Sequence, residues 1–362
     1  MSLRVIQWST GNVGRLTLRA ILGHPQLELA GVWVHGEKKE GRDAGELCGR
    51  GRTGIAATRD ADALLALPAD CVVYAATADL RPKQALDDVC RILRAGKNVV
   101  TSSLVSLVHP DALGPEVRGR LDEACRAGGV SFFASGIDPG FANDVLPLVL
   151  SGLAERWTEI RIREIVNYAT YEQPELLFET MGFGRPLAEE PPMLRPATLR
   201  FAWGGTLRLL AQGLSLELEE IRTLAESWPA PGDLATPAGT LARGTRAAVR
   251  FEVQGIVGGE PRLVCEHVTR MHDELAPEWP RSDGGYEVIV EGVPRMVCRL
   301  EMADEHGDHA VGGLVLTATR IVNAIPAVCA AAPGPLSALD LPLVTGRGLL
   351  AGARAPASGA PR

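Results

Sequence analysis

The first 35 residues of the chain place the tightest constraint on its fold. Residues 3–8 are apolar and rich in β-branched side chains, residues 9–14 contain two glycines, residues 16–22 have helical spacing, and residues 27–34 predict a second strand. A strand, a tight turn, a helix and a second strand within about 30 residues is the βαβ unit of a parallel sheet. The chain therefore begins with an α/β domain whose first turn is a candidate phosphate-binding turn.

The same rhythm continues to about residue 140 and then changes. A continuous apolar run at 71–76 and predicted strands at 98–102 and 131–134 alternate with predicted helices at 82–95 and 115–127, as expected for a doubly wound parallel sheet buried on both faces. Beyond Gly140 a helix is predicted over 142–153. Strands of a second, antiparallel sheet are predicted from alternating apolar and polar residues at 159–169, 246–256, 261–272, 286–291 and 295–301.

A chain of 362 residues is about right for two domains. We predict a dinucleotide-binding Rossmann domain over 1–145, completed by a returning segment at 319–345, and an α+β substrate and dimerisation domain over 146–318. Residues 346–362 predict a flexible tail. A long loop is predicted over residues 173–196. Within it, residues 181–184 either cover a cleft or form a plain surface loop. A helix is predicted over 312–332, which Pro326 should kink or split.

The composition excludes several classes of function. Hydrophobic residues make up 46%, charged residues 22%, and the net charge is −7, which does not indicate a nucleic-acid or anionic-membrane partner. The seven cysteines form no C-x-x-C pair, so we expect reduced thiols. No apolar leader is visible and no apolar run approaches about 18 residues. We therefore expect a cytoplasmic protein.

The turn after the first strand is Ser9, Thr10, Gly11, Asn12, Val13 and Gly14. A dinucleotide fingerprint reads G-x-G-x-x-G between a strand and a helix, because its glycines allow a tight turn, close approach to the pyrophosphate and close helix–strand packing. Here Ser9 replaces the first glycine, while Gly11 and Gly14 are kept. The motif alone is weak, but its position between the first strand and the first helix favours a nucleotide site.

The end of the second strand indicates which dinucleotide is bound. An acid at that end would bind the ribose 2′-hydroxyl of NAD. The chain has His35 there, with Lys38 and Lys39 close behind. We therefore predict NADP(H), with NAD(H) as the alternative.

Two further segments carry a resemblance to a known family. Residues 135–147 read SGIDPGFANDVLP and residues 323–334 read NAIPAVCAAAPG. With the turn above, they resemble the dihydrodipicolinate-reductase-like proteins, a family that includes 2,4-diaminopentanoate dehydrogenase and the native amine dehydrogenases. The resemblance covers about residues 3–345. It implies a homodimer and hydride transfer between NAD(P)H and an imine, or the reverse oxidation of an amine.

The resemblance also implies positions around the cofactor, and two departures limit it. The strand ends and cleft residues that it places against the ribose and nicotinamide are Ala75, Ala76, Thr77, Thr101, Ser102, Ser103, Ile137, Asp138, Pro139 and Asn323. The His-His pair of true dihydrodipicolinate reductases is missing. Leu104 lies in the stretch where the amine dehydrogenases carry the glutamate that handles ammonia.

The protein's part in hydride transfer is to orient the substrate and move a proton. We predict that Tyr168, Tyr171 and Glu172 do this, at the end of the first strand of the second domain. We expect His267 to form a structural hydrogen bond rather than to act as a catalytic acid. The pair His306 and His309 lacks a third ligand nearby, so no metal is expected.

Three functions remain open from the sequence. The first is an NADP(H)-dependent imine reductase or amine dehydrogenase with a small amine, imine or carbonyl substrate. The second is a ketone or aldehyde reductase in which Tyr168 or Tyr171 donates the proton. The third is an NADP(H)-binding sensor without turnover, which the absence of a carboxylate at Leu104 favours.

Overall fold

The computed structural model describes residues 2–78, 81–171 and 173–351. Glu172 and the last eleven residues of the predicted tail lie outside this range. The strands are β1 (Leu3–Trp8), β2 (Leu27–Trp33), β3 (Cys71–Tyr74), β4 (Asn98–Thr101), β5 (Ser131–Ala134), β6 (Arg156–Asn167), β7 (Glu220–Pro229), β8 (Leu234–Thr236), β9 (Gly239–Leu241), β10 (Arg246–Val257), β11 (Glu260–Arg270), β12 (Gly285–Val293), β13 (Met296–Glu301) and β14 (Gly334–Leu336). The helices are α1 (Asn12–Gly23), α2 (Ala44–Leu47), α3 (Ala61–Ala66), α4 (Pro82–Arg94), α5 (Gly114–Gly128), α6 (Val145–Ser151), α7 (Pro196–Gly213) and α8 (His309–Ala330).

The chain divides into two compact units. The first comprises Met1–Leu104, Leu113–Gly136 and Thr317–Arg362, and the second comprises Val105–Ala112 and Ile137–Leu316. The domain limits inferred from the sequence, at 145 and 318, stay a prediction.

The first unit contains a six-stranded sheet in the order β14-β5-β4-β3-β1-β2. Every neighbouring pair is parallel, which confirms the predicted Rossmann-like sheet. Its strands are fully buried at Val5, Val73 and Val100, and α8 adds Ile321 and Val328 to the same core. The apolar runs in the sequence therefore mark strands covered on both faces.

The second unit contains a six-stranded sheet in the order β13-β12-β6-β11-β10-β7. The five predicted strands are confirmed, but the sheet is mixed, because β6 and β11 run parallel. Alternation reveals that one face of a strand is buried and does not encode its direction. Helix α7 covers one face with Leu199, Trp203 and Leu207, which join the core of this unit. Helix α7 and strand β7 were not assigned from the sequence.

Three local expectations need correction. Helix α8 is not split at Pro326, because the buried Ile325 and Val328 offset the one hydrogen bond that a proline removes; a kink at Pro326 stays a prediction. The predicted loop 173–196 contains a π-helical turn at Glu175–Thr180 and a 3-10 turn at Pro192–Leu194. Met181 and Phe183 are buried in the core of the second unit, so the expected plain surface loop is wrong for them, and the alternative that residues 181–184 cover a cleft stays a prediction.

Helix α8 also corrects the expectation about apolar runs. Among the described residues, α8 is the one helix whose length and composition would allow it to cross a membrane. Its mean hydropathy is 1.5 over an 18-residue window. Core helices meet the same criterion, and α8 buries Ile321, Val322 and Ile325 in the first unit.

Candidate functional site

The turn between β1 and α1 has the geometry of a phosphate-binding turn. Ser9 has φ 79°, a left-handed conformation that favours glycine. A Cβ on Gly14 would lie 2.4 Å from the carbonyl oxygen of Ser9, whereas a Cβ on Gly11 would have no neighbour within 4 Å in the described part of the chain. Serine thus takes the conformation of the missing first glycine, and the backbone at Gly11 is open to a ligand.

Gln7 supports this turn from beneath, and sequence reasoning missed it. Its fully buried side chain donates from Nε2 to the Ser9 carbonyl oxygen at 2.7 Å and accepts at Oε1 from the Thr17 hydroxyl at 2.8 Å. A polar residue inside an apolar buried strand was the available signal. These bonds hold Ser9 where α1 begins.

A basic groove of ≈ 700 Å³ lies beside the turn. It is lined by Ser9, Thr10, Gly11, His35, Gly36, Glu37, Lys38, Lys39 and Arg59. Lys39 Nζ donates to the Thr10 carbonyl oxygen at 2.8 Å, and Arg59 pairs with Glu37 at 3.0 Å. Helix α1 has no side-chain cap at Gly11 and no acid in its first turn, so its first N–H groups remain open to an anion. These residues fit a dinucleotide diphosphate.

The predicted strand-end residues lie along the same edge of the first sheet. Ala75, Ala76 and Thr77 follow β3, while Thr101 ends β4 and is followed by Ser102 and Ser103. Thr101 Oγ1 donates to the Tyr74 carbonyl oxygen at 2.7 Å and accepts from the Ser103 N–H at 3.0 Å. Parallel strands bring their carboxyl ends to one edge, where open α/β sheets bind ligands. Asn323 is half-buried on α8, and Leu104 is buried at 7% exposure.

Asp138 is the centre of a buried hydrogen-bond network in the second unit. Its Oδ1 accepts from Trp203 Nε1 at 2.7 Å and from Asn143 Nδ2 at 2.5 Å, and its Oδ2 lies 2.8 Å from His267 Nε2. The side chains of Asp138 and His267 are only 3% and 4% exposed. The neighbours Ile137 and Pro139 are buried as well. Asp138 is thus held in one orientation by three donors.

Strand register places two more polar groups beside His267. Glu164 on β6 is the register partner of both His267 on β11 and Tyr286 on β12, and register partners face the same side of a sheet. Tyr286 Oη donates to Glu164 Oε1 at 2.7 Å, and Glu164 Oε2 lies 3.8 Å from His267 Nε2. His267 Nδ1 is buried and has no hydrogen-bond partner among the residues that the structure describes. We call Asp138, Glu164, His267 and Tyr286 the polar cluster.

Electrostatics divide the roles within the polar cluster. Burial lowers the pKa of His267, but Asp138 and Glu164 outweigh that effect and leave the pKa raised. Burial raises the pKa of Asp138, and the charge and hydrogen bond of His267 bring it below the usual value. Burial raises the pKa of Glu164, and His267 offsets only part of the rise. The cluster therefore contains an Asp138–His267 ion pair and a carboxyl that keeps its proton to a higher pH than usual.

The tyrosines predicted from the sequence lie near this cluster. The rings of Tyr168 and Tyr171 stack with centroids 4.7 Å apart. Burial raises the pKa of both phenols, and the Glu164 charge adds to the rise. Glu172, the third predicted catalytic residue, lies outside the described residues. Sequence reasoning missed Glu164. The available signal was its position, because alternate residues of a strand face the same side and Glu164 therefore shares the apolar side of β6 with the buried Ile160 and Ile162.

The polar cluster also has the composition of a metal site. Asp138, Glu164 and His267 each offer a ligand atom, and these atoms lie within 4.8 Å of one another. Three donors already bind the Asp138 carboxylate, which leaves it few free lone pairs. His309 Nε2 instead contacts the backbone of Asn167, and the His306 side chain is 81% exposed. The expectation that no metal is bound stays a prediction.

Comparison with known proteins identifies the family. Residues 141–354 match the 2,4-diaminopentanoate dehydrogenase C-terminal domain. An amine dehydrogenase of Streptomyces virginiae is 45% identical over 347 residues, which cover 94% of this chain and 96% of that protein. The chain belongs to the 2,4-diaminopentanoate dehydrogenase family.

More distant relatives agree with this family. The 2,4-diaminopentanoate dehydrogenase of Acetoanaerobium sticklandii is 25% identical over 264 residues, 72% of this chain and 71% of that protein. The solved structure of an amine dehydrogenase from Mycobacterium smegmatis has the same fold, with a TM-score of 0.77 at 24% identity and coverage of 96% and 98% of the two chains. As a member of this dehydrogenase family, the chain is an oxidoreductase that uses a nicotinamide cofactor and a small-molecule substrate.

Proposed function

We propose that this enzyme transfers hydride between NADP(H) and the carbon of a C–N bond, as an amine dehydrogenase or imine reductase. The observation that carries the proposal is the polar cluster on the apolar face of β6 and β11. It provides a carboxyl with a raised pKa among tyrosines, and such a group can exchange a proton with a substrate nitrogen. The 45% identity to an amine dehydrogenase supports the same chemistry.

The residues of the chain have separate tasks in this proposal. The turn from Ser9 to Gly14 and the N-terminus of α1 bind the diphosphate. The residues at two strand ends, 75–77 and 101–103, line the ribose and nicotinamide. Ile137, Asp138, Pro139 and Asn323 complete this lining. The bound nicotinamide supplies or accepts hydride. Tyr168 and Tyr171 provide hydroxyl groups for substrate orientation.

NADP(H) rather than NAD(H) is the proposed cofactor. The groove beside the turn presents Lys38, Lys39 and Arg59, and its acid, Glu37, is already paired with Arg59. This excess of positive charge suits a ribose 2′-phosphate. A homodimer in the cytoplasm, with no nucleic-acid or membrane partner, completes the proposal.

A two-directional activity screen tests this function. Purified protein is given NADPH with ketones or aldehydes plus ammonia or methylamine, and NADP⁺ with the corresponding amines. We expect NADPH to be consumed only when the nitrogen donor is present, and to be formed from the amines.

The controls separate the other two functions. Turnover of a ketone without amine would show a carbonyl reductase. Tight NADPH binding with no turnover in either direction would show a sensor. Repeating the screen with NADH measures the preference for the 2′-phosphate.

A further inference from the structure

We propose that Glu164 is the catalytic carboxylate that binds the cationic nitrogen of the substrate and takes its proton. This inference rests on the proposed function and names the residue that performs its acid–base step. It gives the chain an acid–base group on the second sheet, whereas position 104 holds a buried leucine.

Accessibility distinguishes Glu164 from the other members of the polar cluster. Its side chain is 16% exposed, whereas the side chains of His267 and Asp138 are 4% and 3% exposed. Glu164 Oε1 accepts from Tyr286 and Oε2 lies 3.8 Å from His267 Nε2, and a carboxylate oxygen of Glu164 lies within 4.8 Å of one of Asp138. Glu164 is therefore the most exposed of these three side chains, and it is the one that we assign to the substrate nitrogen.

The surroundings of Glu164 suit an ammonium ion better than a neutral alcohol. Tyr168 and Tyr286 contribute aromatic rings near the carboxylate, and aromatic faces and a carboxylate both attract a cation. The charge of His267 is already matched by Asp138 at 2.8 Å. Glu164 is thus left to match the charge of an incoming substrate.

The proton balance of the step is complete. In amine oxidation, R₂CH–NH₃⁺ gives a proton to the Glu164 carboxylate and becomes R₂CH–NH₂. Bound NADP⁺ would accept hydride from this free amine, water would hydrolyse the resulting R₂C=NH₂⁺ to the ketone and ammonium, and Glu164 would return its proton to solvent. The titratable groups that interact with Glu164 are His267 on β11, Asp138 before α6, Tyr286 on β12, and Tyr168 and Tyr171 after β6.

The test compares Glu164→Gln with Glu159→Gln. Both glutamates lie on β6, but Glu159 pairs with Arg161 at 2.9 Å on the opposite face. Calorimetry measures binding of cyclohexylamine, benzylamine and 2-aminobutane to the NADP⁺-loaded protein, and NADPH fluorescence measures cofactor binding. We expect E164Q to weaken binding of the amines that the wild type binds by at least about tenfold and to leave NADPH affinity unchanged, because it removes a charge-assisted hydrogen bond. E159Q should match the wild type.

The pH profiles of kcat/KM for wild type and a second variant keep the test valid even if E164Q does not fold. In wild type, the acid limb of kcat/KM for amine oxidation should follow Glu164, and in Tyr286→Phe it should move to higher pH because the hydrogen bond that favours the carboxylate is lost. An E164Q enzyme with amine binding and kcat/KM within threefold of wild type would overturn the proposal. So would a Y286F profile that does not move. Turnover by wild type confirms the proposed function whatever E164Q does, so the two proposals fail separately.

Discussion

Replacing Asp138 with asparagine should strongly destabilise the second unit. The carboxylate is 3% exposed and accepts three hydrogen bonds, from Trp203, Asn143 and His267. Removing one partner of a buried ion pair costs about 3–5 kcal/mol, because the other charge remains buried. Asparagine also turns an NH₂ group toward at least one of the three donors. We therefore expect a loss of about 3–5 kcal/mol in the free energy of unfolding.

The pH dependence of this loss follows from the two pKa shifts. The pKa of His267 is raised above 6.5, so its contribution is complete below pH 6.5 and is lost as the pH rises through the folded-state value. The pKa of Asp138 is lowered below 3.8, so its contribution is complete above pH 3.8 and is lost as the pH falls. The difference between wild type and D138N should therefore be largest between these two pH values.

Urea unfolding followed by tryptophan fluorescence measures this difference, since Trp203 donates to Asp138. Asp273→Asn is the matched control in the same unit, because Asp273 is exposed and its carboxylate accepts one hydrogen bond from Asn167. It should cost no more than about 1 kcal/mol. The ion pair would be refuted if D138N lost as little free energy of unfolding as D273N, or if its loss did not change with pH.

Three predictions concern the cofactor turn. Gly14→Ala should weaken NADPH binding at least about tenfold, because its Cβ would lie 2.4 Å from the Ser9 carbonyl oxygen. Gly23→Ala is the control, because the described residues leave open space around Gly23. Equal NADPH affinities of the two variants in fluorescence titrations would contradict this prediction. Ser9→Gly should raise the free energy of unfolding by up to about 1 kcal/mol, because it relieves a left-handed serine; a loss of stability in urea would contradict this. Lys39→Met should weaken NADPH binding about fivefold more than NADH binding, and an equal loss for both cofactors would remove Lys39 from the 2′-phosphate site.

The sequence predicted those parts of the fold that depend on local patterns. The strands around Val5, Val73 and Val100 are short, mostly apolar segments between helices, and the strands of the second sheet alternate. The parallel pairing of β6 with β11 was not predictable, because alternation is the same in either direction. Ser9 looked like a defect in the fingerprint, but its backbone takes the glycine conformation.

The candidate site was less predictable because its members are distant in the chain. Tyr286 and Glu164 are 122 residues apart, and His267 and Asp138 are 129 residues apart. Strand register brings them together, and no short motif records register. Tyr168 and Tyr171 were identified because they lie next to each other at the end of one strand, whereas Glu164, three residues before Asn167, was hidden inside it.

Transfer of a deuterium label shows directly whether this enzyme delivers hydride to a carbon bound to nitrogen. The enzyme is incubated with NADPH carrying deuterium at C4 of the nicotinamide, a carbonyl compound and ammonia or methylamine, and the products are analysed by mass spectrometry. We expect one deuterium on the carbon that bears the new nitrogen, and no labelled alcohol. Deuterium in an alcohol, formed equally with and without the amine, would contradict it.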